Sequence, residues 1–103
     1  MTKDREQKEE EFWAYHRRNP HVYEWFDRLT RYTLSKGCKH TSAYLIFEQI
    51  RWETGVEAQG DEWKVNNNHR PYYARLWMDR NPEHEGYMFV RGPRHFQYDF
   101  HLI

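Results

Sequence analysis

Apolar side chains recur every three or four positions through the first part of the chain, and this spacing is typical of amphipathic α-helices. The clearest helix begins at Asn19-Pro20, a cap residue followed by proline in the first turn, and ends at Gly37. Its predicted apolar face consists of Val22, Trp25, Phe26, Leu29, Tyr32 and Thr33. Residues 3–18 predict a preceding helix that is highly charged at its start, and we expect only its last turns to dock.

Two further helices follow from the same spacing. Thr41 or Ser42 is suited to cap a third helix that runs to about residue 53. Its buried stripe is Ala43, Ile46, Phe47 and Ile50, and it is widened by Leu45 and Trp52. Asn68 is predicted to cap a fourth helix that tolerates Pro71 in its first turn and stops at Asn81-Pro82. Tyr73, Leu76 and Trp77 are predicted core residues of that helix.

The end of the chain changes to a period of two. Residues 86–91 have strand composition, Gly92-Pro93 is a turn signal, and Phe96, Tyr98, Phe100 and Leu102 alternate with polar residues. This pattern predicts a C-terminal β-hairpin. We therefore expect a mainly α (α+β) fold, a helical winged-helix-like domain with a C-terminal β-hairpin. A single domain would span residues 1–103, with 1–18 as a helical extension and 19–103 as the winged-helix-like core.

Composition excludes several classes of protein. The chain has 16 Lys plus Arg and 16 Asp plus Glu, so it is neither generally polybasic nor an acidic DNA mimic. Aromatic residues make up 18% of it, which argues against disorder. The single cysteine, Cys38, excludes an intramolecular disulfide and favours an intracellular protein. No signal-peptide pattern and no membrane-spanning run are visible.

The positive charge is local rather than general. Residues 63–78 contain three basic residues and no carboxylate, and Arg91, Arg94 and His95 precede Asp99 at the predicted hairpin turn. In a winged helix, the helix before the hairpin enters the major groove and the hairpin turn contacts phosphates. The predicted nucleic-acid-binding residues are Lys64, Asn68, Arg70, Tyr72, Arg75, Arg91 and Arg94. The segment formed by residues 54–68, however, is far longer than the turn of a simple helix-turn-helix.

Other kinds of site are less well supported. The surplus of rings favours a protein-binding module as the alternative; the candidate rings are Trp13, Tyr15, Trp52, Trp63, Tyr72 and Tyr87. Cys38 with His40, and His95 with His101, lack the spacing of a zinc site. His69 beside Arg70 is too common a pair to indicate an enzyme. We therefore expect no enzyme, no catalytic residue, no metal and no cofactor.

An ordered set of short motifs resembles a family of small proteins encoded by phages and prophages. The motifs are Phe12-Trp13-Ala14-Tyr15-His16, Asn19-Pro20-His21-Val22-Tyr23, Ile50-Arg51-Trp52, Lys64-Val65-Asn66-Asn67-Asn68, Tyr72-Tyr73-Ala74-Arg75-Leu76 and the stretch from Gly86-Tyr87 to Arg91. The resemblance implies a phage or prophage origin and the host cytoplasm, but it transfers no activity. The expected function is a small DNA-binding regulator. The alternative is a protein that binds and inhibits a host protein, such as a component of a defence system. The sequence is compatible with a homodimer.

Overall fold

The structure, a computed structural model, describes residues 2–55 and 68–97. These residues contain four α-helices: α1 (Thr2–Arg18), α2 (Pro20–Ser35), α3 (Ala43–Gly55) and α4 (Arg70–Arg80). A short 3₁₀ turn, Pro82–His84, follows α4, and two short strands, β1 (Thr41–Ser42) and β2 (Met88–Phe89), form a small sheet. The expected mainly α (α+β) class is confirmed. None of the helices in these two stretches is sufficiently long and apolar to cross a membrane.

The junction between α1 and α2 is made by Asn19 in an unexpected way. Asn19 precedes α2, but its side chain makes no capping bond to that helix. Its Nδ2 donates instead to the Tyr15 carbonyl at 3.0 Å, which also accepts the Asn19 backbone N–H at 2.9 Å. The Asn19 side chain therefore adds a second hydrogen bond to the last turn of α1 instead of capping α2. Pro20 begins α2 as predicted, and Gly37, at φ 85°, follows its end.

The start of α3 follows the prediction. The Leu45 amide donates to Ser42 Oγ at 3.2 Å, so Ser42 is the capping residue. Ala43, Ile46, Phe47 and Ile50 are all buried, as expected for the inner stripe. Leu45 and Trp52 were expected to extend that stripe, yet 57% of Leu45 and 78% of Trp52 is exposed. The described elements therefore cover one face of α3 and leave a second apolar face open.

Helix α4 is the central element of the core. Every residue from Tyr72 to Met78 is buried, so this helix is enclosed on all sides rather than amphipathic. The Tyr73 ring lies 4.8 Å from the Phe12 ring of α1, 5.8 Å from Phe26 of α2 and 5.3 Å from Phe47 of α3, measured between ring centres. One side chain of α4 therefore contacts all three other helices.

The two ends of α4 are closed in different ways. The residue before the helix is His69, whose carbonyl accepts the Tyr72 and Tyr73 amides. The prediction that Asn68 caps α4 is therefore wrong by one residue. Asn81 ends the helix as predicted and is itself buried. Its Nδ2 donates to the Trp77 carbonyl at 2.8 Å, and its Oδ1 accepts from Arg31 of α2 at 2.7 Å.

The sheet differs from the predicted hairpin. Strand β2 pairs in parallel with β1, which precedes α3, with Thr41 opposite Met88 and Ser42 opposite Phe89. Residues 91–97 contain no strand, and residues 98–103, the rest of the predicted second strand, lie outside the described residues. The physical reason is that the carbonyls of Arg91 and Pro93 are used by a side chain of α4, described below, rather than by a neighbouring strand.

Helix α1 is more than a solvated extension. Phe12 is fully buried and Trp13 nearly so, and both belong to the common core. One turn earlier, Glu9 is also fully buried, and its two carboxylate oxygens each lie 3.2 Å from the Gln97 amide nitrogen, which donates to them. Docking of α1 therefore begins earlier than the charge pattern indicated, because Glu9 fixes the C-terminal segment to the helix.

Candidate functional site

The predicted nucleic-acid-binding residues separate into three groups. Lys64 lies outside the described residues, together with Trp63, Asn66 and Asn67. Asn68, Arg91 and Arg94 are exposed. Arg70, Tyr72 and Arg75, which were expected to face the groove, are all buried. The predicted stripe along α4 is therefore an internal surface.

Arg75 joins α4 to the segment that follows β2. Its Nε donates to the Pro93 carbonyl at 2.7 Å and its Nη2 to the Arg91 carbonyl at 3.1 Å. Its guanidinium carbon also lies 4.8 Å from the centre of the Tyr72 ring. Burial lowers the pKa of this guanidinium, and the nearby Tyr72 partly opposes that effect. Two of its donor nitrogens are therefore used within the protein, and Arg75 holds this turn against α4.

Arg70 and Tyr72 are also used internally. The Arg70 guanidinium lies over the rings of Tyr44 and Phe47, at 5.4 and 5.8 Å, and its Nη1 is 3.6 Å from the Glu48 carboxylate. The Tyr72 ring stacks on Phe96 at 5.9 Å with an angle of 17° between the planes. The structure therefore contradicts the predicted position of these side chains on an open face of α4, because each fills an interface with a neighbouring segment.

The turn that carries Arg91 and Arg94 is exposed but is not free of acids. Gly92 allows the bend, with φ at 79°. His95, next in the chain, lies between two carboxylates: its Nδ1 is 3.1 Å from Asp79 and its Nε2 is 3.0 Å from Glu85. The hydrogen bond to Asp79 is the main cause that raises the pKa of His95, and Glu85 adds to it. Folding therefore brings negative charge to a segment that is acid-free in the sequence.

The described surface has an apolar feature that the sequence indicated only in part. Four large apolar side chains are exposed on α3 and β2, and together they form what we call the α3 face: Tyr44, Leu45, Trp52 and Phe89. Leu45 and Trp52 are seven residues apart, which places them on the same side of the helix about 10 Å apart. Phe89 is the register partner of Ser42, whose hydroxyl binds the Leu45 amide. Phe89 therefore lies beside the first turn of α3.

The rings that the sequence offered for protein binding have different positions. Trp13, Tyr72 and Tyr87 are buried, Tyr15 is half-buried and Trp63 lies outside the described residues. Trp52 alone of the six is exposed within the described chain. The useful signal in the sequence was that Leu45 and Trp52 fall beside the regular buried stripe of α3 instead of within it.

The described histidines form no obvious centre for metal chemistry. In residues 5–53 and 68–97, no three His, Cys, Asp or Glu side chains lie close enough together to hold a metal ion. Cys38 is exposed, and His101 lies outside the described residues. His69 stacks on Tyr15 at 5.1 Å, and burial lowers its pKa. Because Arg70 points to α3 rings instead of toward an open cleft, the His69–Arg70 pair offers no phosphodiesterase-like arrangement.

Comparisons of the chain with protein-family models, curated proteins and solved structures gave no match. The resemblance to small phage proteins therefore stays a prediction from the sequence motifs. Any functional conclusion rests on the geometry described above.

Proposed function

We propose that this protein acts by binding another protein through the α3 face. The observation that carries the proposal is the exposure of Trp52, at 78%, and of Phe89, at 71%, beside Leu45 and Tyr44. Large apolar side chains that are grouped on a surface are typical of protein-binding sites. Tryptophan and tyrosine are also the side chains that most often dominate the binding energy of an interface.

The surroundings of the α3 face support this proposal. Glu48 and Arg51 lie on the same helix, partly exposed, with 3.3 Å between the Arg51 Nη1 and the Glu48 carboxylate. An apolar centre with charged side chains at its edge is the usual arrangement of a transient protein interface. One end of the face is also anchored, because Ser42 caps α3 and the β1–β2 pair holds Phe89 beside it. An anchored surface loses less conformational entropy on binding.

The motif resemblance indicates what kind of partner to expect. A small phage protein that binds another protein would find its partner in the host, and inhibition of a host component is the role we favour. Burial of Arg70, Tyr72 and Arg75 removes the main support for reading DNA bases with α4. The protein-binding alternative therefore becomes the first choice.

The test compares partner capture by the wild-type protein with capture by a Leu45→Ser/Trp52→Ser double variant, using lysate of a bacterial host. Tyr32→Ser is the matched control, since Tyr32 is 52% exposed on α2 and lies outside the α3 face. We expect one stoichiometric partner that is lost with the double variant and kept with the control. Equal recovery by all three proteins, or recovery of no partner, would count against the proposal.

A second candidate function is contact with a nucleic-acid backbone through Arg91 and Arg94. It is favoured by their exposure on a turn that Arg75 fixes through two hydrogen bonds. Two phosphate contacts would give only weak binding, with a slope of about −2 in log K against log salt concentration. A mobility shift with duplex DNA at low salt checks this. Binding should disappear in an Arg91→Gln/Arg94→Gln variant, and binding that persists there would contradict it.

A further inference from the structure

Three helices bring a histidine, a tyrosine and an arginine together on the side of the molecule where α1 and α4 end. Tyr23 of α2 is the shared neighbour. Its ring centre lies 5.7 Å from that of His16 in an edge-to-face contact, and the Arg80 guanidinium carbon lies 4.6 Å from it. The sequence separates these residues by up to 64 positions, so only the packing of α1, α2 and α4 produces the cluster.

Arg80 gives the cluster a positive charge, and Arg17 is close enough to act on the same histidine. Two arginines, Arg80 and Arg17, are the charged groups that act on His16, and both are exposed. Arg80 makes no ion pair with any described carboxylate. Asp27 is the acid that acts on Tyr23, but its Oδ1 already accepts from Trp77 at 2.9 Å and from Arg31 at 2.9 Å.

His16 is placed to respond to an added negative charge. Its ring is half-buried between Phe12 and the tyrosines Tyr23 and Tyr73, and its Nδ1 is buried without a hydrogen-bond partner. Burial is the largest cause that lowers its pKa, and Arg80 and Arg17 lower it further. None of the described groups that act on His16 therefore stabilises the imidazolium, and an anion at the outer edge of the ring would do so.

We propose that His16, Tyr23 and Arg80 form a binding site for a small oxyanion of the phosphate or sulfate type. Arg80 also forms a side-chain hydrogen bond with Tyr23, and the remaining N–H groups of its planar guanidinium match two oxygens of such an anion. The imidazole supplies a third donor, and the Tyr23 hydroxyl can donate as well. The site is separate from the α3 face and does not depend on the function proposed for that face.

The competing explanation is that these bases only compensate helix ends. His16 and Arg17 lie in the last turn of α1, and Arg80 lies in the last turn of α4. Cations are favoured there because the C-terminal end of a helix carries partial negative charge. That role requires no ligand, and it predicts that added oxyanion leaves His16 unchanged.

The experiment follows the titration of the His16 ring by NMR, with sodium sulfate against sodium chloride at equal ionic strength. Sulfate is the first probe because it does not titrate in the relevant range. His16→Gln assigns the signal among the seven histidines. We expect saturating sulfate to raise the His16 pKa by about one unit, which corresponds to about tenfold tighter sulfate binding to the protonated ring. Phosphate and a nucleoside monophosphate then distinguish a free anion from a phosphoryl group on a larger molecule.

Variants decide whether Arg80 forms the site. In Arg80→Gln the sulfate effect should vanish, while Arg80→Lys, which keeps the charge without the paired donors, should weaken it. Arg28→Gln is the matched control because it removes an exposed arginine of α2 that belongs to none of the proposed binding sites. Circular dichroism confirms that each variant is folded. A His16 pKa that does not respond to sulfate, or that responds equally in wild type and Arg80→Gln, would overturn the proposal.

Discussion

Replacing Arg75 by methionine distinguishes an internal clamp from a surface contact residue. Methionine keeps an unbranched side chain of similar length but cannot donate hydrogen bonds. The substitution removes the bonds to the Pro93 and Arg91 carbonyls, of 2.7 and 3.1 Å, and the contact with the Tyr72 ring at 4.8 Å. If Arg75 were an ordinary surface residue, its loss would change stability by no more than about 0.5 kcal/mol.

The structure gives a larger expected cost. A hydrogen bond from a charged donor contributes about 1.5–3 kcal/mol, and a partly desolvated cation–ring contact adds about 1 kcal/mol. Water can replace part of the lost hydrogen bonding, because Arg91 is exposed and Pro93 is half-buried. The buried methionine side chain also recovers some apolar contact. We therefore expect Arg75→Met to lower the free energy of unfolding by about 2–3 kcal/mol, a large part of the usual 5–15 kcal/mol.

The assay is urea unfolding followed by circular dichroism, with Arg94→Met as the matched control on the same turn. Hydrogen exchange adds a local readout at the Gln97 amide, which donates to the buried Glu9 carboxylate. In Arg75→Met this amide should exchange faster, and its change should exceed that of amides in α3. If Arg75→Met stayed within about 0.5 kcal/mol of the wild type, the clamp would be refuted and an exposed role for Arg75 would regain support.

Three further predictions concern stability. Burial lowers the pKa of both His16 and His69, so their contribution to stability is present above about pH 6.5 and is lost as the pH falls through the lowered values. The raised pKa of His95 acts in the opposite direction, so the test uses a His95→Gln background. In that background the urea midpoint should decrease as the pH is lowered from 7.5 to 5.5, and a constant midpoint would contradict the burial of these rings. Glu9→Gln should cost about 1–3 kcal/mol by thermal unfolding, because it weakens a buried hydrogen bond to a charged group, whereas the exposed Glu10→Gln should be neutral. Asn81→Ala should cost about 2 kcal/mol in the same assay, since it removes one bond within α4 and one to α2, and an unchanged melting temperature would argue against this bridge.

Periodicity predicted the parts of this fold that depend on one element at a time. Val22, Phe26 and Leu29 form the inner face of α2 as predicted, although Tyr32, which was predicted to lie on that face, is exposed. The inner stripe of α3, the end of α2 at Gly37 and the stop of α4 at Asn81 also follow the sequence. Each depends on side-chain spacing or on backbone geometry within a few residues, and these are properties that the sequence states directly. The Ser42 cap is of the same kind.

The candidate sites could not be predicted in this way, because they depend on which faces meet. Arg70 and Arg75 have the composition of surface residues, and only the enclosure of α4 by the other segments makes them internal. The acid-free turn acquires Asp79 and Glu85 as neighbours of His95 through folding. The parallel pairing of β1 with β2 joins segments 47 positions apart, a separation that no local pattern encodes.

The sequence by itself determined the helical class, the inner faces of two helices and the balance of charge, because these follow from residue types and their local spacing. The tertiary structure decided which charged residues are available to a partner. A buried arginine is covered by neighbouring segments and is withheld from a partner, while an arginine beside solvent can present its donors to a ligand. For this reason we propose that the protein binds a partner through the α3 face and not through the basic residues of α4. We propose the cluster of His16, Tyr23 and Arg80 as a second site.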